Sequence, residues 1–335
     1  MRALFVSMSL CLPLLGCAEG GEGQSTNPST AAAPSPGCQG PAAVPGHTDA
    51  VLEFGGKSRQ YALHVPAGYT GQPSALVFSM HGFLSNYTEQ QVLTGFSELA
   101  DAENFLVAYP NGAGASMLSW NAGDCCEYTE TDRDDVGFIA ALIDQVGRSA
   151  CVDLNRVYAT GYSNGGFLGH RLACELSNRV AAIATVAGVL GVPPETCNPG
   201  RPVSVLQLHG SADVVVPYPG GVPAGWEMSF PGVTPPQFRS AEVTRDFWAT
   251  KNGCSMQPSA GVVMGDVACN AYAACAEGSR VELCTIDGGG HTWPGGDHST
   301  IGGPLNATIT PFFGKVSTSI DASAHMWQFL KAHTL

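Results

Sequence analysis

A run of strand-forming residues at 156–160 passes with no linker into Gly161-Tyr162-Ser163-Asn164-Gly165-Gly166, and a helix is expected at once over 164–176. No other feature constrains the fold as much. A strand can turn into a helix around one serine only if its neighbours two places away lack side chains, because Cβ atoms there would collide across the turn. The serine is then held in a strained backbone conformation at a helix N-terminus, which favours negative charge.

The rest of the chain repeats the strand-then-helix order. Residues 50–54 and 60–65 read as a hairpin around Gly55-Gly56, and 75–80 as a short buried-type strand. A helix is expected over 88–104, with Thr88 and Gln91 as a capping box and Val92, Phe96 and Leu99 on its apolar face, followed by a strand at 105–109. Asp135 can cap the next helix, whose stripe is Val136, Ile139, Ile143 and Val146. Strands at 181–186, 203–208 and 280–286 and helices at 240–252 and 321–333 complete the pattern. Apolar strands alternating with amphipathic helices imply an α/β architecture, a mostly parallel twisted sheet with helices on both faces. Ligands in such sheets bind beyond the carboxyl ends of the strands.

A serine hydroxyl is a poor nucleophile until a base takes its proton, and the base needs a carboxylate to fix its tautomer. Asp213 lies 50 residues after Ser163 in His209-Gly210-Ser211-Ala212-Asp213. His291 lies 78 residues further, in Gly290-His291-Thr292-Trp293-Pro294-Gly295. Both follow expected strand ends, so Ser163, His291 and Asp213 are the expected nucleophile, base and acid. His298 is the rival base, while Asp134 and Asp135 read as capping groups. His81-Gly82-Phe83 follows the strand at 75–80, which makes the backbone N–H groups of Phe83 and Asn164 the expected oxyanion donors.

The formal net charge is −13 with no basic run to offset it, so nucleic acid is an unsuitable partner. Charged residues make up 13%, which suits an exported protein. Of twelve cysteines, ten lie beyond residue 17 without a Cys-x-x-Cys pair, which favours disulfides over zinc, with connectivity open. Residues 1–16 form an apolar segment too short to span a bilayer and read as a signal peptide ending in Leu14-Leu15-Gly16-Cys17. That tetrad resembles the lipobox of bacterial lipoproteins, which implies lipidation at Cys17, anchoring in the outer membrane or display at the cell surface, and export. Residues 17–45 are Gly-, Ser- and Pro-rich and are expected to be a flexible tether to a catalytic domain over 46–335.

The chain resembles the polyhydroxybutyrate-depolymerase-type esterases, which include feruloyl and acetylxylan esterases of the α/β-hydrolase fold. The resemblance rests on His81-Gly82-Phe83, Trp120-Asn121 with Cys125-Cys126, Asp134 to Phe138, the Ser163 turn, His209 to Asp213 and His291 to Gly295, in family order. It implies hydrolysis of aromatic or acetyl esters of polysaccharide, or of short hydroxyalkanoate esters, with no cofactor and no metal. Depolymerases of solid polyester carry a binding module after the catalytic domain, whereas 44 residues follow His291 here, which disfavours a polymer substrate. Trp293, Trp120 and Trp226 are the expected substrate-binding residues, with Phe230 beside them. Residues 217–237 are expected to form a rim or lid over the acyl pocket. A monomer is expected. The competing functions are a serine peptidase or amidase on the same fold and a non-catalytic surface binding protein.

Overall fold

The computed structural model describes residues 34–114, 118–126, 133–229, 231–255, 257–302 and 312–335. The chain divides into Met1–Ala31 and Ala32–Leu335, and every described residue belongs to the second unit. The expected signal segment, Cys17, most of the expected tether and Phe230 lie outside the described residues. Among the described residues no helix is long and apolar enough to cross a membrane.

One ten-stranded sheet organises the domain. Its strands are β1 (Gly46–Phe54), β2 (Lys57–Val65), β3 (Ser74–Met80), β4 (Leu106–Pro110), β5 (Val152–Tyr162), β6 (Ala182–Val186), β7 (Ser204–Gly210), β8 (Ser259–Met264), β9 (Val267–Tyr272) and β10 (Val281–Ile286). Their order is β1-β2-β4-β3-β5-β6-β7-β10-β9-β8. The run from β4 to β10 is parallel, with antiparallel ribbons at both edges. Every residue of β3, β4, β6 and β7 is buried, as strands covered on both faces must be.

Alternation along β3 separates the two cores. Leu76, Phe78 and Met80 pack with α3 (Asp135–Ser149), α4 (Asn164–Glu175) and α6 (Ala241–Lys251), through residues such as Ile139, Phe167 and Trp248. Ala75 and Val77 point to the other cluster, where α1 (Tyr87–Thr94), α2 (Phe96–Glu103) and α7 (Ala322–Leu330) supply Leu93, Phe96 and Met326. Trp327 of α7 stacks on Phe105 with ring centroids 4.0 Å apart, fastening the end of the chain to the sheet. The short α5 (Trp226–Ser229) lies in the segment between β7 and α6.

Several local expectations are corrected. The helix expected over 88–104 is two helices, broken at Gly95, whose φ of 59° ends α1 and begins α2. Its cap is Asn86, whose side chain accepts from the N–H of Thr88 and of Glu89, rather than the Thr88/Gln91 box. Val92 consequently points outward, while Leu93 is buried. Asp134 caps α3 in place of Asp135; Asp135 is fully buried, pairing with Arg59 at 2.7 Å and accepting from the Asn121 N–H. The β8–β9 hairpin was absent from the expected strands.

The domain also begins before residue 46. Ser35 is buried, with its hydroxyl donating to the Ala150 carbonyl and accepting from the Val152 N–H, and a 3₁₀ turn spans Pro36–Gln39. Cys38 is bonded to Cys151, so the expected tether ends short of Ser35. The other disulfides are Cys125–Cys126, Cys174–Cys197, Cys254–Cys275 and Cys269–Cys284, which pair all ten cysteines beyond residue 17.

Candidate active site

Ser163 stands between β5 and α4 with φ 53° and ψ −120°, a conformation few L-residues adopt. Three glycines make room for it. A Cβ on Gly161 would strike the carbonyl of Gly165, one on Gly165 would strike the carbonyls of Met80 and His81, and one on Gly166 would press on Gly188. The collisions expected across this turn are thus with the turn itself and with the end of β3.

Three side chains from three strand ends meet at this turn. His291 Nε2 lies 2.9 Å from Ser163 Oγ, and His291 Nδ1 lies 2.7 Å from Asp213 Oδ2. All three residues are buried. The backbone N–H groups of Val215 and Val216 both donate to Asp213 Oδ1 at 2.8 Å, so the carboxylate is locked from both ends. Burial would raise the pKa of Asp213, but the charge and hydrogen bonds of His291 and His209 outweigh it and hold the group well below the usual carboxylate range. With Asp213 ionised, the His291 Nδ1 proton faces Asp213, which leaves the Nε2 lone pair facing Ser163 Oγ.

Two segments of the site are tied by Trp120. Its indole N–H donates to the His81 carbonyl at 2.9 Å. Its backbone N–H donates to the Asn164 side-chain oxygen at 2.7 Å, and its carbonyl accepts from the same carboxamide at 3.1 Å. The loop carrying Phe83 and the residue after Ser163 are therefore clamped to one another. His81 supports the loop from beneath: burial pushes its pKa down to about 4, and the neutral ring donates from Nδ1 to the Gly82 carbonyl while Nε2 accepts from the Gly112 N–H.

Ser163 and His291 open into a cavity of about 260 Å³. Its walls are Phe83, Leu84, Leu93, Cys125, Cys126, Val215, Val216, Trp226, Phe238, Ile301, Phe312 and Phe313, and among the described residues no Asp, Glu, Lys or Arg lines it. Of the tryptophans expected there, only Trp226 takes part. Trp120 is fully buried as the clamp, and Trp293 is buried with its indole N–H on Ser323 Oγ and its ring edge-on to Phe96 and Tyr162. Their indole N–H groups find partners within the fold, on the His81 carbonyl and on Ser323 Oγ, and those bonds hold both rings in the interior. The walls supplied by Val215, Val216, Ile301, Phe312 and Phe313 went unread, since nothing local distinguishes them from core residues. Pro223, Ala224 and Trp226 show that part of the 217–237 segment does border the cavity.

A putative esterase of Nocardia uniformis subsp. tsuyamanensis is 34% identical over 253 residues, covering 72% of this chain and 72% of its own. The chain belongs to the feruloyl and acetylxylan esterase family of α/β-hydrolases. That family is one of carboxylic ester hydrolases. Feruloyl esterase B of Piromyces equi is 33% identical over 238 residues, 70% of this esterase, which spans 42% of the relative's length. Among solved structures, an acetyl xylan esterase from Aspergillus awamori superposes with a TM-score of 0.55 at 14% identity, over 79% of this chain and 99% of its own. A thermostable esterase superposes at 0.52 and 15% identity, over 86% of this chain and 63% of its own. These two likenesses show the fold. No family model matches.

The esterase's other candidate groups are engaged elsewhere. His298, the rival base, accepts from the Trp293 N–H at 3.0 Å and donates to the Gly296 carbonyl, supporting the turn after His291. Cys269, Glu282, Cys284 and His325 gather their donor atoms within 4.8 Å of one another, but Cys269 and Cys284 are joined as a disulfide and offer no thiolate.

Proposed function

We propose that this chain is an exported serine esterase that cleaves aromatic acyl esters, of the hydroxycinnamoyl class, through an acyl-enzyme on Ser163. One observation carries the reading: the hydrogen-bonded chain Ser163–His291–Asp213 opens onto a cavity of about 260 Å³ whose walls, among the described residues, are apolar. A cavity of roughly 150 Å³ accepts a benzene ring, so this one holds a substituted phenyl group and is far larger than an acetyl group needs. The paired cysteines support export into an oxidising compartment, and the lipobox supports anchoring through Cys17.

In the proposed mechanism Ser163 Oγ attacks the ester carbonyl as His291 Nε2 takes its proton, and Asp213 stabilises the imidazolium that forms. The backbone N–H groups of Phe83 and Asn164 receive the oxyanion. Collapse expels the alcohol, protonated by His291, and water then releases the acid by the same steps. Amide substrates and a purely binding role are the competing outcomes. The test is hydrolysis of methyl ferulate, an aryl acetate, 3-hydroxybutyrate oligomers and an anilide by the full chain, with Ser163→Ala as the blank. Methyl ferulate is expected to be the best substrate. Equal inactivity of both proteins on all four would sink the reading.

Trp120 supplies a second prediction. Trp120→Phe keeps a buried ring but loses the bond to the His81 carbonyl, which lets the Phe83 donor drift relative to Asn164. A displaced donor should lower kcat by about 10- to 100-fold, short of the ~10²–10³ for outright loss of one, with KM little changed. Loss confined to KM would show that Trp120 acts on substrate binding instead.

A further inference from the structure

The five disulfides do not do equivalent work. Four join residues separated by 113, 23, 21 and 15 positions and cross-link distinct elements. Cys125–Cys126 joins neighbours. The stabilisation a disulfide draws from the unfolded chain grows with the loop it closes, and here there is almost no loop to close. Its consequence must be local, and its location is the cavity: Cys125 and Cys126 line it together with Gly82, Phe83 and Ser163. Among the described residues it is the only disulfide in that lining.

The segment leading to it is rigidly held. The Asp124 N–H donates to the Gly191 carbonyl at 2.8 Å, and a Cβ on Gly123 would collide with that carbonyl. Arg239 bridges the Asp124 carboxylate and the Leu190 carbonyl, and its neighbour Phe238 is another wall of the cavity. Cys126 adopts φ 71°, a left-handed conformation that a cysteine takes up at a cost and that the ring closed by the bond maintains. Both residues of the pair thus border the cavity from a held segment, and polarizable sulfur makes favourable contact with aromatic rings.

We propose that the Cys125–Cys126 disulfide is the wall against which the aromatic ring of the acyl group rests, making this pair specificity-determining. The inference rests on the aromatic-ester reading above and names what within the cavity enforces it. A small acyl group, reacting at Ser163 without filling the cavity, makes less use of this wall.

The test compares kcat and KM of the full chain and of Cys125→Ala/Cys126→Ala on methyl ferulate and on an aryl acetate. The variant should lose about five- to tenfold more kcat/KM on methyl ferulate than on the acetate, with the excess in KM. Equal losses on both esters, or none, overturn the inference while leaving the substrate reading intact. Wild-type protein that cleaves the acetate and not methyl ferulate overturns both. Should the double variant fail to fold, Ser163→Ala provides the second measurement. Saturating methyl ferulate should slow reduction of the 125–126 bond by a phosphine, read by alkylation and peptide mass, and an unslowed reduction of that bond overturns the inference.

Discussion

Ser163→Ala and His291→Ala should each lower kcat on methyl ferulate by about 10⁶-fold, and the double variant should lose no more than either. The reason is geometric. In the proposed mechanism His291 Nε2, 2.9 Å from Ser163 Oγ, is the base without which the hydroxyl is inert at neutral pH. His298 cannot substitute, since its ring nitrogens are committed to Trp293 and Gly296. The residual rate in all three variants should be that of the cavity and the backbone donors, roughly 10³–10⁴ above water. Thermal unfolding of each variant would check that the fold persists. A double variant slower than both singles by a further 10²-fold or more would mean that the two groups act independently.

The residues of this chain of hydrogen bonds were legible in the sequence because each sits in a short turn with its own local demands. The Ser163 turn is permitted by Gly161, Gly165 and Gly166, Asp213 follows closely on the end of β7, and His291 follows the Gly-rich turn after β10. The strands of the parallel region were legible for a similar reason, since continuous apolar runs leave few alternatives.

What was not legible depended on partners distant in sequence. The apolar cavity walls come from α1 and from segments after β3, β4, β7 and β10, and an Ile or Phe there carries the same local pattern as one in the core. Trp120 was legible as significant but not in its role, because its partners His81 and Asn164 are 39 and 44 residues away. Ser35 and Cys38 lie in a stretch of tether-like composition and are held by Ala150, Cys151 and Val152, more than 110 positions on. The β8–β9 hairpin fails as a local signal because its β8 side is largely exposed and lacks the alternation of a half-buried strand.

Asp213→Asn should lower kcat by about 10⁴-fold with little change in KM, although it alters one atom and leaves the shape of the site intact. An Asn can keep Oδ1 as acceptor for the N–H groups of Val215 and Val216, because those two bonds fix which end of the side chain faces the loop. Its Nδ2 then faces His291 Nδ1 and donates to it. Nδ1 must give up its proton to accept that bond, the proton moves to Nε2, and an N–H now points at Ser163 Oγ where a lone pair is required. The site is therefore switched to the wrong tautomer without being distorted. Raising pH cannot restore it, since the tautomer is set by the amide and not by proton concentration. Asp213→Ala removes both the acceptor and the wrong donor, leaving His291 free to present either nitrogen, so at equal folding it should be no worse than Asp213→Asn. A fall of less than about tenfold in Asp213→Asn would show that the carboxylate of Asp213 does not govern the proton on His291.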